Sequence, residues 1–69
     1  MLHEKGTHNM MEAEDEVITK IRKSGIPAGT FGIVESVCSE GVWVDVYIPA
    51  DADVPENTVL YAEHELELQ

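Results

Sequence analysis

The sequence predicts an all-β domain, a small antiparallel barrel of five short strands. Three observations point to it. Apolar residues fall at every second position in VWVDVYI (42–48), the period of a strand with one face buried. Glycine and proline gather between the apolar runs, in GIPAGTFG (25–32) and PADADVPENT (49–58), where turns need them. And the chain has only 69 residues, enough for one domain that buries about 60% of its unfolded surface. No internal repeat or heptad interrupts this pattern.

The elements follow in order. MLHEKGTHNM (1–10) has no period and reads as a disordered lead-in, and the flexible segment is expected to run to residue 13, with the barrel over 14–69. Glu4, Lys5 and Gly6 can be encoded by purine-rich codons resembling a ribosome-binding site, which makes Met10 and Met11 alternative starts. MEAEDE (11–16) is a solvated acidic collar. EVITKIRK is the first strand, with Val17, Thr19 and Ile21 on one face and Ile18, Lys20 and Arg22 on the other.

In GIPAGTFG, Pro27 fixes φ and Gly29 supplies a position of positive φ. A phosphate-binding P-loop would need Lys-Ser or Lys-Thr after its second glycine, and a dinucleotide loop would need a helix after it. The run that follows, FGIVESVCS (31–39), is a strand instead. The glycines therefore turn a corner, and Gly32 marks a close backbone crossing or a bulge. Glu40-Gly41 links this strand to the third, whose Val42, Val44, Val46 and Ile48 face the core and whose Trp43, Asp45 and Tyr47 face away. The long acidic loop 49–58 precedes a fourth strand at VLYA (59–62). EHELELQ closes the chain with a helical turn and an edge strand carrying Leu66 and Leu68.

Fourteen acidic residues against four basic ones leave a formal charge of -10. Such a field repels nucleic-acid phosphates and anionic membranes, and it favours solubility or a basic protein partner. No apolar run reaches the roughly 18 residues that span a bilayer. No basic stretch followed by an apolar one opens the chain, so a cytoplasmic protein without a signal peptide is expected. Cys38, the single cysteine, reads as a small buried hydrophobe. His3, His8 and His64 have no ligand spacing with it, so neither a structural metal nor a cofactor is expected. Cys38 and His64 are the only conceivable nucleophile and base, one in an apolar strand and the other in an acidic tail, which argues against an enzyme.

With the strands in place, EDEVITKI, GIPAGTFGIVESV, EGVWVDVYI and HELEL together resemble the small SH3-like β-barrels of bacteria. KOW modules and nitrile-hydratase-like barrels are their wider relatives. The likeness covers roughly residues 14–68 and is carried by Gly29-Thr30-Phe31-Gly32-Ile33-Val34. It implies a fold and little about activity, because one barrel hosts many functions. KOW-type relatives contact RNA through basic loops, whereas the long loop here carries Asp51, Asp53 and Glu56, so nucleic-acid binding is not carried over. The nitrile-hydratase-like relatives imply no catalytic residue in this chain.

What remains is a surface. Trp43 and Tyr47 flank Asp45 on one side of the third strand, the residue types of a protein interface. The expected partner-binding set is Trp43, Asp45 and Tyr47, the loop acids Asp51, Asp53 and Glu56, and Tyr61, with Phe31 as a further extension. The bland alternative is that the aromatics cover a neighbouring strand. Three functions fit: a module binding a protein partner or a second copy of itself; a small acidic decoy or inhibitor of a mobile element or phage, imitating nucleic acid; and a small-ligand binder at an oligomer interface.

Overall fold

The computed structural model describes residues 11–69. The expectation of a disordered segment over residues 1–10 lies outside the described residues. Among the described residues, five strands form one antiparallel sheet: β1 (Glu16–Thr19), β2 (Phe31–Cys38), β3 (Gly41–Tyr47), β4 (Asn57–Tyr61) and β5 (Leu66–Leu68). A 3-10 turn, Glu63–Glu65, precedes β5, and the strands lie side by side in the order β4-β3-β2-β1-β5. Every expected strand is present, within two residues of its expected start.

This sheet cannot be flat. A flat five-stranded sheet holds its edge strands four spacings apart, about 19 Å. The two edges here, β4 and β5, are joined by residues 62–65 alone, three of them in the 3-10 turn. At about 2 Å per 3-10 residue and about 3.3 Å per extended one, that link reaches about 14 Å. The sheet must curve to bring its two edges within that reach. Its concave face holds one core cluster that includes Val17, Val34, Val44, Val46, Val59, Tyr61 and Leu66.

Two features of β2 help it bend. Val34 pairs with Val44 and Ser36 with Trp43, so Glu35 is an extra residue, a bulge that increases local twist. Gly32 sits on the inner face, where an added Cβ would come 2.5 Å from Val44 Cγ1 and 3.2 Å from the Asp45 carbonyl oxygen. Of the two roles expected for Gly32, close approach is the one observed, and the bulge lies at Glu35.

The glycine-rich stretch is fastened to β1 by Thr19, a polar residue only 2% exposed. Its Oγ1 accepts from the Thr30 N–H at 3.0 Å and donates to the Pro27 carbonyl at 3.1 Å. Thr30 Oγ1 donates to that same carbonyl at 2.7 Å, and the Gly29 N–H donates to the Thr19 carbonyl at 2.7 Å. Gly29 adopts φ +89°, as expected of a corner glycine.

Several details differ from the sequence reading. β1 ends at Thr19, so Ile21 leaves the inner face and is 36% exposed. The two-residue hairpin link is Ser39 and Glu40, and Gly41 already pairs with Cys38. Cys38 is exposed rather than buried, because β2 runs out past the core at this hairpin. Ile48 is 43% exposed because β3 stops at Tyr47 before the chain turns at Pro49. Met11 is buried in the core, and the acidic segment after it is tied down by Glu14 N–H to the Val34 carbonyl and Val34 N–H to the Asp15 carbonyl. The side chains of Glu12, Glu14 and Glu16 stay exposed, as expected of a solvated collar, while the backbone of the segment is held against β2.

Candidate functional site

The register fixes what stands on the convex, outer face. Trp43 lies between Ser36 and Leu60, Asp45 between Ile33 and Thr58, and Tyr47 beside Phe31. Beyond Phe31 the last row continues to Ile18 on β1. Alternation along β3 therefore puts Trp43, Asp45 and Tyr47 on one side and Val42, Val44 and Val46 in the core, as expected. Trp43 is 36% exposed, and Leu60, Ile33, Phe31, Tyr47 and Ile18 on the same face are all half-buried. An apolar strip thus crosses the outer face, with Asp45 inside it. Asp45 Oδ1 accepts a 2.6 Å hydrogen bond from Thr58 Oγ1, which holds the carboxylate in place. The Phe31 and Tyr47 rings meet at 6.2 Å between centroids with a 49° tilt, a favoured aromatic geometry.

Asp51, Asp53 and Glu56 are exposed in the loop after β3. Tyr61 is not part of this surface. It is wholly buried on the inner face opposite Val42, because Val59 and Tyr61 point inward and leave Leu60 outside. Leu60, Ile33 and Ile18 were missed in the sequence reading. Val59-Leu60-Tyr61 is apolar throughout and gives no phase of its own, so Leu60, like Ile18 and Ile33, joins the strip only through pairing across strands.

A second constellation fastens the β4–β5 link. Lys23 Nζ donates to Glu65 Oε1 at 2.7 Å and to the Leu60 carbonyl at 3.3 Å, and it lies 5.3 Å from the centroid of the Tyr61 ring. Glu65 Oε1 also accepts the Ala62 N–H at 2.9 Å. These two donors, the Lys23 ammonium first, hold the Glu65 carboxyl below its ordinary range. Burial of the Tyr61 phenol, reinforced by the Glu65 charge, pushes its titration up. The phenol oxygen is buried without a hydrogen-bond partner among the described residues. Lys20 Nζ reaches the His64 carbonyl at 3.4 Å, so two of the basic residues near β1 are turned toward this link.

The lowered Glu65 fixes the sign of one pH effect. A carboxyl whose folded pKa lies below its unfolded value adds stability above the unfolded value and loses it as pH falls through the folded one. Acid melting should therefore begin below the ordinary carboxyl value of 4.5. Thermal melts of wild type and Glu65→Gln from pH 7 to the acid limb check this. Wild type is expected to be the more stable at pH 7, with the gap closing as acid neutralises Glu65. A gap independent of pH would remove the carboxylate's role.

Cys38 and His64 lie at the β2–β3 hairpin and in the 3-10 turn, and Cys38 Sγ contacts Glu40 Oε1 at 3.9 Å. Among the described residues no group of three His, Cys, Asp or Glu side chains is placed to hold a metal ion. Comparison of the chain with protein-family models, with curated proteins and with solved structures finds no match. The chain is a small all-β protein with one five-stranded antiparallel sheet, and no family is identified for it.

Proposed function

We propose that this chain is a non-enzymatic interaction module, an SH3-like barrel that binds a partner protein through the outer face of its sheet. The barrel reading is supported by the strand order and by the short β4–β5 link, which requires curvature. The interaction reading rests on one observation above all. Trp43 keeps 36% of its surface in water, on a sheet face that also carries the half-buried Leu60, Ile33, Phe31, Tyr47 and Ile18. Asp45, Asp51, Asp53 and Glu56 add a negative rim, which steers a basic partner and sets its register.

Capture of a partner on immobilised wild type and Trp43→Ala, at low and high salt, tests the reading. A Trp anchor is worth about 2 kcal/mol or more at an interface, so retention by Trp43→Ala should fall about thirty-fold. Wild-type capture should survive about 1 M salt, where screening leaves only about 3 Å of electrostatic reach. Equal capture by both proteins would overturn it. Capture lost in salt and indifferent to Trp43 would instead favour the acidic decoy.

A further inference from the structure

The outer face ends in an open groove of about 460 Å³, walled by Ile18, Pro27, Phe31, Tyr47, Ile48 and Pro49. The walls come from three places: β1, the end of the glycine-rich corner, and the chain leaving β3. No charged side chain lines it. Ile48, 43% exposed, is left uncovered at its rim.

Carboxylates outnumber cations around this groove. Glu16 stands two residues before Ile18 and Asp45 two before Tyr47, each on the same face as the wall residue it precedes. Glu67 is directly opposite Ile18 across the β1–β5 ladder, and Asp51 follows Ala50 at the far wall. The cations of the β1–β2 loop do not offset them. Lys23 is paired with Glu65 at the β4–β5 link, and Lys20, two residues beyond Ile18, turns its ammonium to the His64 carbonyl there, one cation against the four carboxylates.

An apolar groove with a carboxylate rim selects its occupant by chemistry. A second copy of this chain brings a charge of -10 against the same charge and is repelled, as is a nucleic acid. The structure assigns, we infer, a short partner segment in which an apolar anchor is flanked by Lys or Arg. The anchor would enter between Ile18, Tyr47 and Ile48, and the cations would meet Glu16, Asp45 and Asp51. This rests on the outer-face reading above and narrows it to one partner chemistry at one end of the strip.

The test is amide chemical-shift titration of the full chain with three short peptides: alternating Leu/Lys, Ser/Lys and Leu/Glu. The Leu/Lys peptide should move the amides of Ile18, Phe31, Tyr47 and Ile48. It should bind at least about ten-fold tighter than Ser/Lys, which has no apolar anchor to bury. Leu/Glu should bind weakest. Ile48→Lys, at a tolerant exposed site, should weaken Leu/Lys at least about ten-fold by adding a like charge and removing apolar wall. Val37→Lys makes the same charge change at the exposed end of the β2–β3 hairpin and should have little effect.

Equal binding of Leu/Lys and Ser/Lys, equal weakening by both variants, or no binding at all overturns the groove. So does a dimer that Ile48→Lys converts to monomer, since the occupant is then a second copy. Trp43-dependent capture that persists in Ile48→Lys would remove the groove and leave the outer-face reading. Groove binding without any Trp43-dependent capture would do the reverse.

Discussion

Gly32→Val should melt on the order of 15 °C below wild type, by far-ultraviolet circular dichroism. The cause is steric. An added Cβ would lie 2.5 Å from Val44 Cγ1, inside any van der Waals contact, with the Asp45 carbonyl oxygen 3.2 Å away and Val17 Cγ2 3.6 Å away. Val44 and Val17 are fully buried, so they have nowhere to move. Overpacking costs about 1–3 kcal/mol and occasionally more, and valine adds two methyl groups beyond the clashing atom. At 4–8 °C per kcal/mol for a domain this small, a loss of about 3 kcal/mol gives that shift. It is a large part of the few kcal/mol, roughly 3–10, that hold such a chain folded. A double-mutant cycle isolates the contact: Val44→Ala removes the obstructing Cγ1, so Gly32→Ala should cost at least about 1 kcal/mol less in that background. A Gly32→Val protein that melts with wild type would show that the Val44 side chain does not fill the space over Gly32.

Thr19→Val should cost about 1–3 kcal/mol although it changes no volume to speak of. The hydroxyl it removes is the partner of the Thr30 N–H and a donor to the Pro27 carbonyl, inside a residue that is 2% exposed. Valine would leave the Thr30 N–H buried without a partner, and an unmet buried donor carries its full desolvation cost. Thr19→Ser keeps the hydroxyl and loses one methyl, so it should be the milder change of the two. Hydrogen exchange gives a local readout, with the Thr30 amide losing protection in Thr19→Val. If Thr19→Val melts with wild type and keeps that protection, the corner is held by the backbone alone, through the Gly29–Thr19 and Thr19–Thr30 pairs.

Both effects bear on the surface proposed for binding. Gly32 leaves room on the inner face for Val44, and the β2–β3 ladder in which it lies sets Phe31 against Tyr47 at one end and Ser36 beside Trp43 at the other. Thr19 holds Pro27 and Gly29, which wall the groove, onto β1. A stability defect at either position should therefore blunt partner binding indirectly, whereas Trp43→Ala and Ile48→Lys act on surfaces that water already reaches.

How far the fold could be read from the sequence differs by element. Period-two alternation in 42–48 is local, and it placed Trp43, Asp45 and Tyr47 opposite the valines correctly because side-chain direction in a strand follows from the backbone alone. Strand ends were less legible. Ile21 and Ile48 keep the alternation on paper, but the ladders stop at Thr19 and Tyr47, and an apolar residue past the last pair has no facing strand to cover it. Tyr61 failed for a different reason. Its phase was open until β4 was paired with β3, when the match of Tyr61 with Val42 turned the ring inward. Cys38 failed because its strand runs past the core.

By itself, then, the sequence determined the all-β class, five strands, a corner at 25–32 and a strongly acidic body, since all of these follow from local periodicity, turn chemistry and charge. The tertiary structure alone decided which residues share a surface. Ile18, Phe31, Ile33, Tyr47, Trp43 and Leu60 come from four strands and meet only through register. The Lys23–Glu65 pair joins residues 42 positions apart at the link between β4 and β5. Cross-strand pairing is a sum of small terms spread over the whole sheet, and no short stretch of sequence records it.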